Sequence, residues 1–343
     1  MAPVDLPTIV LTDLVCDYPV VALEALAASG IPFVDADAAG GDPLDWILDG
    51  EVLLVTWHNV TAEVIERLRR CRAIIRIGVG YDNIDIEAAR KRGIAVCNVP
   101  DYCQGEVADH AMALALSLAR SLPFLDRCVR QGVWKPALPH PMPAFEVMSF
   151  GVLGYGRIGR RTISRARGFE FRLLACDPYV PAEDFPADVA RVPIEELLAQ
   201  SDVLSIHAPL TPETKHLLNA DRLALMKPTA ILINTARGAI VDTQALVEAL
   251  QSGRIAAAGL DVFEEEPLPV SGAARDDRDL SDRKHAAGHP LLSCPNALLT
   301  PHYAWHSRES RPKLYLMAVE EAIRAARGEP LRSCVNGIQP GRC

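Results

Sequence analysis

GVLGYGRIGR, residues 151–160, decides the fold. Its glycines, Gly154, Gly156 and Gly159, stand in the GxGxxG spacing, which alone is weak because glycines also serve ordinary turns. The surroundings make it specific. The apolar stretch SFGVLGYG from Ser149 predicts a strand that runs into the motif, and a helix is predicted behind it from Arg157 to Gly168. In such a unit Gly154 makes the tight turn and Gly156 admits the backbone close to a pyrophosphate. Gly159 lets helix pack on strand, and the amides at the helix start, around Arg157 and Ile158, face the phosphate charge. An acid should follow at the end of the next strand to accept hydrogen bonds from the adenosine ribose. Asp177, in LLACDP, stands 18 residues past Gly159 and fits that place. Pro178 and Tyr179 come next, so no adjacent arginine offers itself to a 2′-phosphate, and NAD is expected over NADP.

On both sides of the motif, short β-branched or apolar runs alternate with segments of helical period, the signature of βαβ units and parallel sheets. Before it lie TIVLTDLV (8–15), IPFVDAD (31–37), EVLLVTW (51–57), AIIRIGVG (73–80) and IAVCNVP (94–100), five strands for one doubly wound sheet. A helix is predicted over about 104–122, then the Pro-rich loop KPALPHPMPAF. After SFGVLGYG, the second sheet continues with FRLLACDP, DVLSIHAP, AILINTARG, AAAGLDVF and ALLTPH, and a last helix runs from Glu309 to Arg327. The expected fold class is α/β, two doubly wound parallel-sheet domains of Rossmann-like and flavodoxin-like kind. Residues 267–290, polar and without period, read as a surface loop.

The chain has 343 residues, more than one core usually supports, with 49% hydrophobic and 23% charged residues. A formal charge of −9 without a Lys/Arg block excludes an electrostatic footprint for nucleic acid or acidic membrane. No apolar run approaches the roughly 18 residues that a membrane span needs. MAPVDLPTIV has no basic region before an apolar stretch, so a cytoplasmic home is expected. The nine cysteines are scattered and never spaced CxxC, which speaks for reduced thiols and against a metal site.

Three stretches place a polar group at or after a strand end, where such sheets hold their ligands. NTARGAIVD offers Arg237, GLDVFEEEP offers Glu266, and TPHYAWHS offers His302. Each has an ordinary alternative as a cap partner, a loop residue or a packed histidine. Together they meet one need. Reducing a 2-oxo acid takes a cation to hold its carboxylate and polarise its carbonyl, which suits the planar fork of Arg237. It also takes a proton donor, which suits His302 with Glu266 to stabilise the imidazolium.

With these motifs in order, IGVGYDNIDIEAARKRGIAVCNVP, GVLGYGRIGR, HAPLTPETKHLLN, LINTARGAIVD, LDVFEEEP and LTPH, the chain resembles the D-isomer-specific 2-hydroxyacid dehydrogenases over nearly its whole length. Arg76 and the spacing of His302 to Trp305 are more similar to the C-terminal-binding-protein branch, whose vertebrate members are NAD-sensing corepressors. The resemblance implies a catalytic set of Arg237, Glu266 and His302. It implies that Arg76 and the amides of Val79 and Gly80 bind the substrate carboxylate, with Trp305 a pocket wall one helical turn from His302. It adds His207, Pro209, Thr235 and Asp261 to the NAD side. It further implies a substrate domain of 1–102 plus 306–343, an NAD domain of 103–305, a cleft between them, and a homodimer joined near 104–122 and Trp134. The lead-in AFEVMSFG, the long 267–290 loop and WHNV (57–60), with His58 a possible polar contact, depart from the family pattern. The partner is then a small 2-oxo or 2-hydroxy acid. A dinucleotide-sensing protein with little turnover, and a dehydrogenase of another small oxyanion, are the competing readings.

Overall fold

Strand Ser149–Leu153, five residues all buried, shows why parallel sheet forms here: buried on both faces, its residues need no polar alternation. The computed structural model describes residues 8–13, 19–39, 42–264, 266 and 288–339. It falls into two units, one containing 8–102 and 307–339 and the other 103–266 and 288–306 among these residues.

In the first unit, β1 (Ile9–Leu11), β2 (Phe33–Asp35), β3 (Val52–Val55), β4 (Ala73–Arg76) and β5 (Ala95–Cys97) form a sheet of order β2-β1-β3-β4-β5. All its pairings are parallel, and the order is the flavodoxin-like one. The closing helix Ser310–Ala326 packs on β3, β4 and the helix Val20–Ser29. One core cluster gathers Val10, Leu53, Ile74 and Val96 from the strands with Ile47, Ile65 and Ala89 from the helices.

In the second unit, β6 (Ser149–Leu153), β7 (Arg172–Cys176), β8 (Val189–Arg191), β9 (Val203–Ile206), β10 (Ile231–Asn234), β11 (Ala257–Leu260) and β12 (Ala297–Leu299) form a seven-stranded sheet. Its order, β12-β11-β10-β9-β6-β7-β8, contains the Rossmann arrangement, with the topological switch between β6 and β9. Core clusters lie on both faces, so the sheet is doubly wound. Helices Gln104–Ala119 and Arg157–Arg167 supply Ala111, Ala115 and Ile163 to one cluster, and Ile194–Gln200 and Thr243–Gln251 supply Leu197 and Leu246 to the other.

Three details differ from the sequence reading. The helix over 104–122 ends at Ala119, because Ser121 takes a left-handed φ of 51°, and a second helix, Leu122–Arg130, begins there. Strand β8 is unanticipated, being only three residues long with two of them exposed. The segment from His302 to Trp305 is a turn rather than a helical turn, with His302 at φ 57°. The surface loop expected for 267–290 lies, as far as residue 287, outside the described residues.

Candidate active site

At the end of β6 the chain turns at Gly154, whose φ of +93° strains any L side chain. A Cβ there would lie 2.6 Å from the Ala208 nitrogen and 2.7 Å from the His207 carbonyl carbon. One on Gly159 would meet the Gly154 oxygen at 2.1 Å, so the helix rests directly on the turn. Gly156 differs: no atom lies within 4 Å of where its Cβ would be, and nothing within the chain explains its lack of a side chain. It precedes the helix Arg157–Arg167, whose first amides have no side-chain cap. An open approach to uncapped helix amides is what an anion requires.

Beside this turn lies a cavity of about 770 Å³ lined by Gly154, Asp177, Arg191, Pro209, Thr214 and Leu217, among others. The Asp177 carboxylate accepts the Tyr155 amide at 2.8 Å and the Tyr179 amide at 2.9 Å. Arg191 shares the cavity with Asp177 although no residue next to Asp177 in sequence is basic; its position on the unanticipated β8 hid it. Half-buried His207 bonds the Ser205 hydroxyl through Nε2 at 2.9 Å, and desolvation pushes its pKa down to about 3, which keeps the ring neutral. The Thr235 hydroxyl is buried with no hydrogen-bond partner among the described residues, as a group awaiting a ligand would be. Turn, cavity and orphaned hydroxyl fit a dinucleotide. Among the described residues, no cluster of His, Cys, Asp or Glu could hold a metal ion.

The loops after β10, β11 and β12 carry Arg237, Glu266 and His302. Asn234, 1% exposed, staples the first: its side chain accepts the Ala236 amide at 3.0 Å and donates to the Arg237 carbonyl at 2.9 Å. Gly238 then abuts the second loop, since a Cβ on it would lie 1.9 Å from the Phe263 carbonyl carbon. His216 and Glu264 pair within that region as well. Burial works against ionising Glu264, but hydrogen bonds from His216 and Thr243 outweigh it and hold the carboxyl below its usual range. Glu266 accepts the Phe263 amide at 3.2 Å with one oxygen and meets His302 Nδ1 at 2.7 Å with the other. His302 thus stands in a left-handed conformation that costs a non-glycine residue on the order of 1–3 kcal/mol, with its ring oriented by a carboxylate. Both side chains are about a quarter exposed. Trp305, half-buried, meets His306 edge-on with centroids 5.3 Å apart.

Arg76, Val79 and Gly80 belong to the first unit. Arg76 Nη1 donates to its neighbour's carbonyl, Ile77 O, at 2.7 Å, which folds the guanidinium over its own turn. The Gly78 and Val79 carbonyls accept the Val99 amide at 2.9 Å and the Asn98 side chain at 2.6 Å. The amides of Val79 and Gly80 have no backbone acceptor among the described residues. In the same unit, buried Asp13 accepts the amides of Thr56 at 2.9 Å, of Trp57, and of His58 at 3.1 Å. It therefore fixes the start of the WHNV loop. Nothing in the sequence marked Asp13, whose role depends on a strand more than forty positions away.

The glycine turn and cavity after β6 and β7 could hold a dinucleotide, and the His–Glu pair after β11 and β12 could pass a proton, the equipment of a nicotinamide-dependent oxidoreductase. Comparison with known proteins makes that class specific. The NAD-binding domain of the D-isomer specific 2-hydroxyacid dehydrogenases matches residues 112–304. Glyoxylate reductase of Korarchaeum cryptofilum is 43% identical over 84% of this chain and 82% of its own length. Among solved structures, D-lactate dehydrogenase from Aquifex aeolicus with NAD and lactic acid superimposes with a TM-score of 0.79 at 29% identity, covering 94% of this chain and 96% of that one. NADPH-dependent glyoxylate/hydroxypyruvate reductase from Sinorhizobium meliloti, with NADP and malonate, gives 0.80 at 29% identity over 99% and 100%. The chain belongs to the D-isomer-specific 2-hydroxyacid dehydrogenase family. It is a nicotinamide-dependent oxidoreductase acting on the CH–OH carbon of D-2-hydroxy acids.

Proposed function

We propose that the chain reduces a small 2-oxo acid with NADH, and that His302 exchanges the proton. The observation that carries this is the 2.7 Å contact between His302 Nδ1 and Glu266. A carboxylate on Nδ1 fixes the tautomer and stabilises the imidazolium, so Nε2 is the atom that gives the proton to the developing alkoxide and takes it back in the oxidative direction. Arg237 holds the substrate carboxylate and polarises the carbonyl. Arg76 and the Val79 and Gly80 amides bind the carboxylate from residues 1–102, and Trp305 bounds the substrate's side chain. On this reading, 1–102 plus 306–343 form the substrate domain and 103–305 the NAD domain.

A bound nicotinamide supplies the hydride. The residues proposed to hold the dinucleotide are Gly154, Gly156, Arg157, Ile158 and Gly159 at the phosphates, Asp177 at the ribose, and His207, Pro209, Thr235 and Asp261 along the strand ends. NAD is preferred because Asp177 repels a 2′-phosphate; Arg191 alone faces Asp177, Glu195 and Glu213 in that cavity. The similarity to a glyoxylate reductase supports a small substrate. A place in the C-terminal-binding-protein branch rests on Arg76 and the His302–Trp305 spacing, and the similarity to glyoxylate reductases supports turnover over sensing alone. The cytoplasm as its setting is supported by the scattered cysteines, which are free among the described residues. Among the described residues no helix is long and apolar enough to cross a membrane.

The test is NADH oxidation across 2-oxo acids from glyoxylate through pyruvate and hydroxypyruvate to bulky aromatic members. Turnover of a small member with kcat/KM near 10⁴ M⁻¹s⁻¹, roughly the lower edge of the ordinary range, is expected. Negligible turnover throughout by protein that still binds NADH would overturn the reading.

A further inference from the structure

We infer that His110 and Thr300 are positioning residues for the proton-transfer step, acting through Asp261 on the turn that presents His302. The Asp261 side chain is 1% exposed, and besides any part it takes at the dinucleotide its hydrogen bonds converge on the turn that presents His302. Its carboxylate accepts the Thr300 hydroxyl at 2.5 Å, the Tyr303 amide at 2.9 Å and the Ala304 amide at 2.8 Å. Its backbone carbonyl accepts the His302 amide at 2.8 Å. The chain from 300 to 304 therefore winds around a single buried aspartate, with His302 at the crest in its left-handed conformation. Histidine tolerates that conformation better than most residues but still adopts it in a small minority of cases, so the surrounding hydrogen bonds are what hold His302 in it.

His110 reaches this aspartate from elsewhere in the same unit. It stands on the helix Gln104–Ala119, which packs on β10 and β11, and its Nε2 lies 2.9 Å from Thr300 Oγ1 and 3.5 Å from Asp261 Oδ1. Thr300 has one hydroxyl proton and a carboxylate only accepts, so the hydroxyl donates to Asp261 and accepts from His110. The direction of the chain, His110 N–H to Thr300 O–H to Asp261, fixes the proton on Nε2 of His110. It also anchors the His302 turn to a rigid helix. A loop alone would let the imidazole drift, and displacements of about 1 Å at a reacting group cost on the order of a hundredfold in rate. His110 touches neither Glu266 nor His302 in this arrangement of hydrogen bonds, which is why it acts by placement.

The inference rests on His302 as the proton-exchanging group, and the experiment separates the two. Thr300→Val, Thr300→Ser, His110→Phe, His110→Gln and His302→Ala are compared for kcat, KM, NADH affinity by fluorescence, and the solvent deuterium isotope effect on kcat. Thr300→Val and His110→Phe are expected to lower kcat by about tenfold or more, to raise the isotope effect as proton transfer becomes limiting, and to change NADH affinity less than about twofold. Thr300→Ser, which keeps the hydroxyl, and His110→Gln, whose amide replaces Nε2–H, should restore kcat. Two results overturn the positioning role: normal kcat in both Thr300→Val and His110→Phe while His302→Ala is inactive, or a loss confined to NADH affinity. Normal turnover by His302→Ala would instead remove the proton-transfer reading on which it rests. Should Thr300→Val fail to fold, His110→Phe against His110→Gln decides the matter alone.

Discussion

At the scale of single residues, chemistry is set by which groups share a cavity, and Asp177 shows this most simply. Its carboxylate lines the cavity that also holds Arg191, so removing its charge should weaken the repulsion that a 2′-phosphate meets there. Asp177→Asn is expected to raise the kcat/KM ratio of NADPH to NADH by about tenfold or more, the yield of one charge contact of roughly 1.4 kcal/mol. An unchanged ratio would take Asp177 out of cofactor selection. The sequence made Asp177, Arg237, Glu266 and His302 legible because each lies at a strand end inside a motif whose spacing carries a mechanism. Asp13, Arg191 and His110 were not legible. Their partners are far along the chain, and an isolated acid, arginine or histidine has no local pattern to distinguish it.

Elements were read well where periodicity is strong and poorly where a few residues decide. Of the twelve strands among the described residues, eleven fall within apolar runs visible in the sequence; the exception, Val189–Arg191, is an edge strand with a single buried residue. The apolar spacing through 104–122 continues past the real helix end because Leu122 is apolar, whereas the left-handed φ of Ser121 stops the helix there. Turns between elements bear the proposed catalytic groups, and two of these turns meet closely at Gly238. Gly238→Ala places a methyl group inside van der Waals contact with the Phe263 and Glu264 backbones, so the Arg237 and Glu266 loops must separate. We expect kcat to fall by on the order of a hundredfold with NADH affinity, measured by fluorescence, little changed. Full activity in that variant would show that the two loops need not touch.

For the whole molecule, the fold class was legible because alternating strands and helices admit few topologies, and right-handed crossovers then fix the sheet order. A homodimer was expected only through resemblance. Leu122, Val129, Val133, Trp134 and Leu138, close together in sequence, are all exposed, Trp134 at 78%, and exposed apolar side chains that cluster are a signature of contact with another chain. The expected homodimer would place a second copy there. Light scattering should give a dimer for the natural chain and a shift toward monomer for Trp134→Glu; a monomer in both would leave that surface without a partner.

The most direct test of the account is the steady-state reduction of glyoxylate by NADH in the natural chain and in His302→Ala, at saturating cofactor, with NADH binding followed in parallel. Loss of the acid/base should lower kcat by about a hundredfold or more while the variant still binds NADH, because His302 lies apart from the glycine turn and the Asp177 cavity. Near-normal turnover by His302→Ala would contradict the account, whatever the family to which the chain belongs.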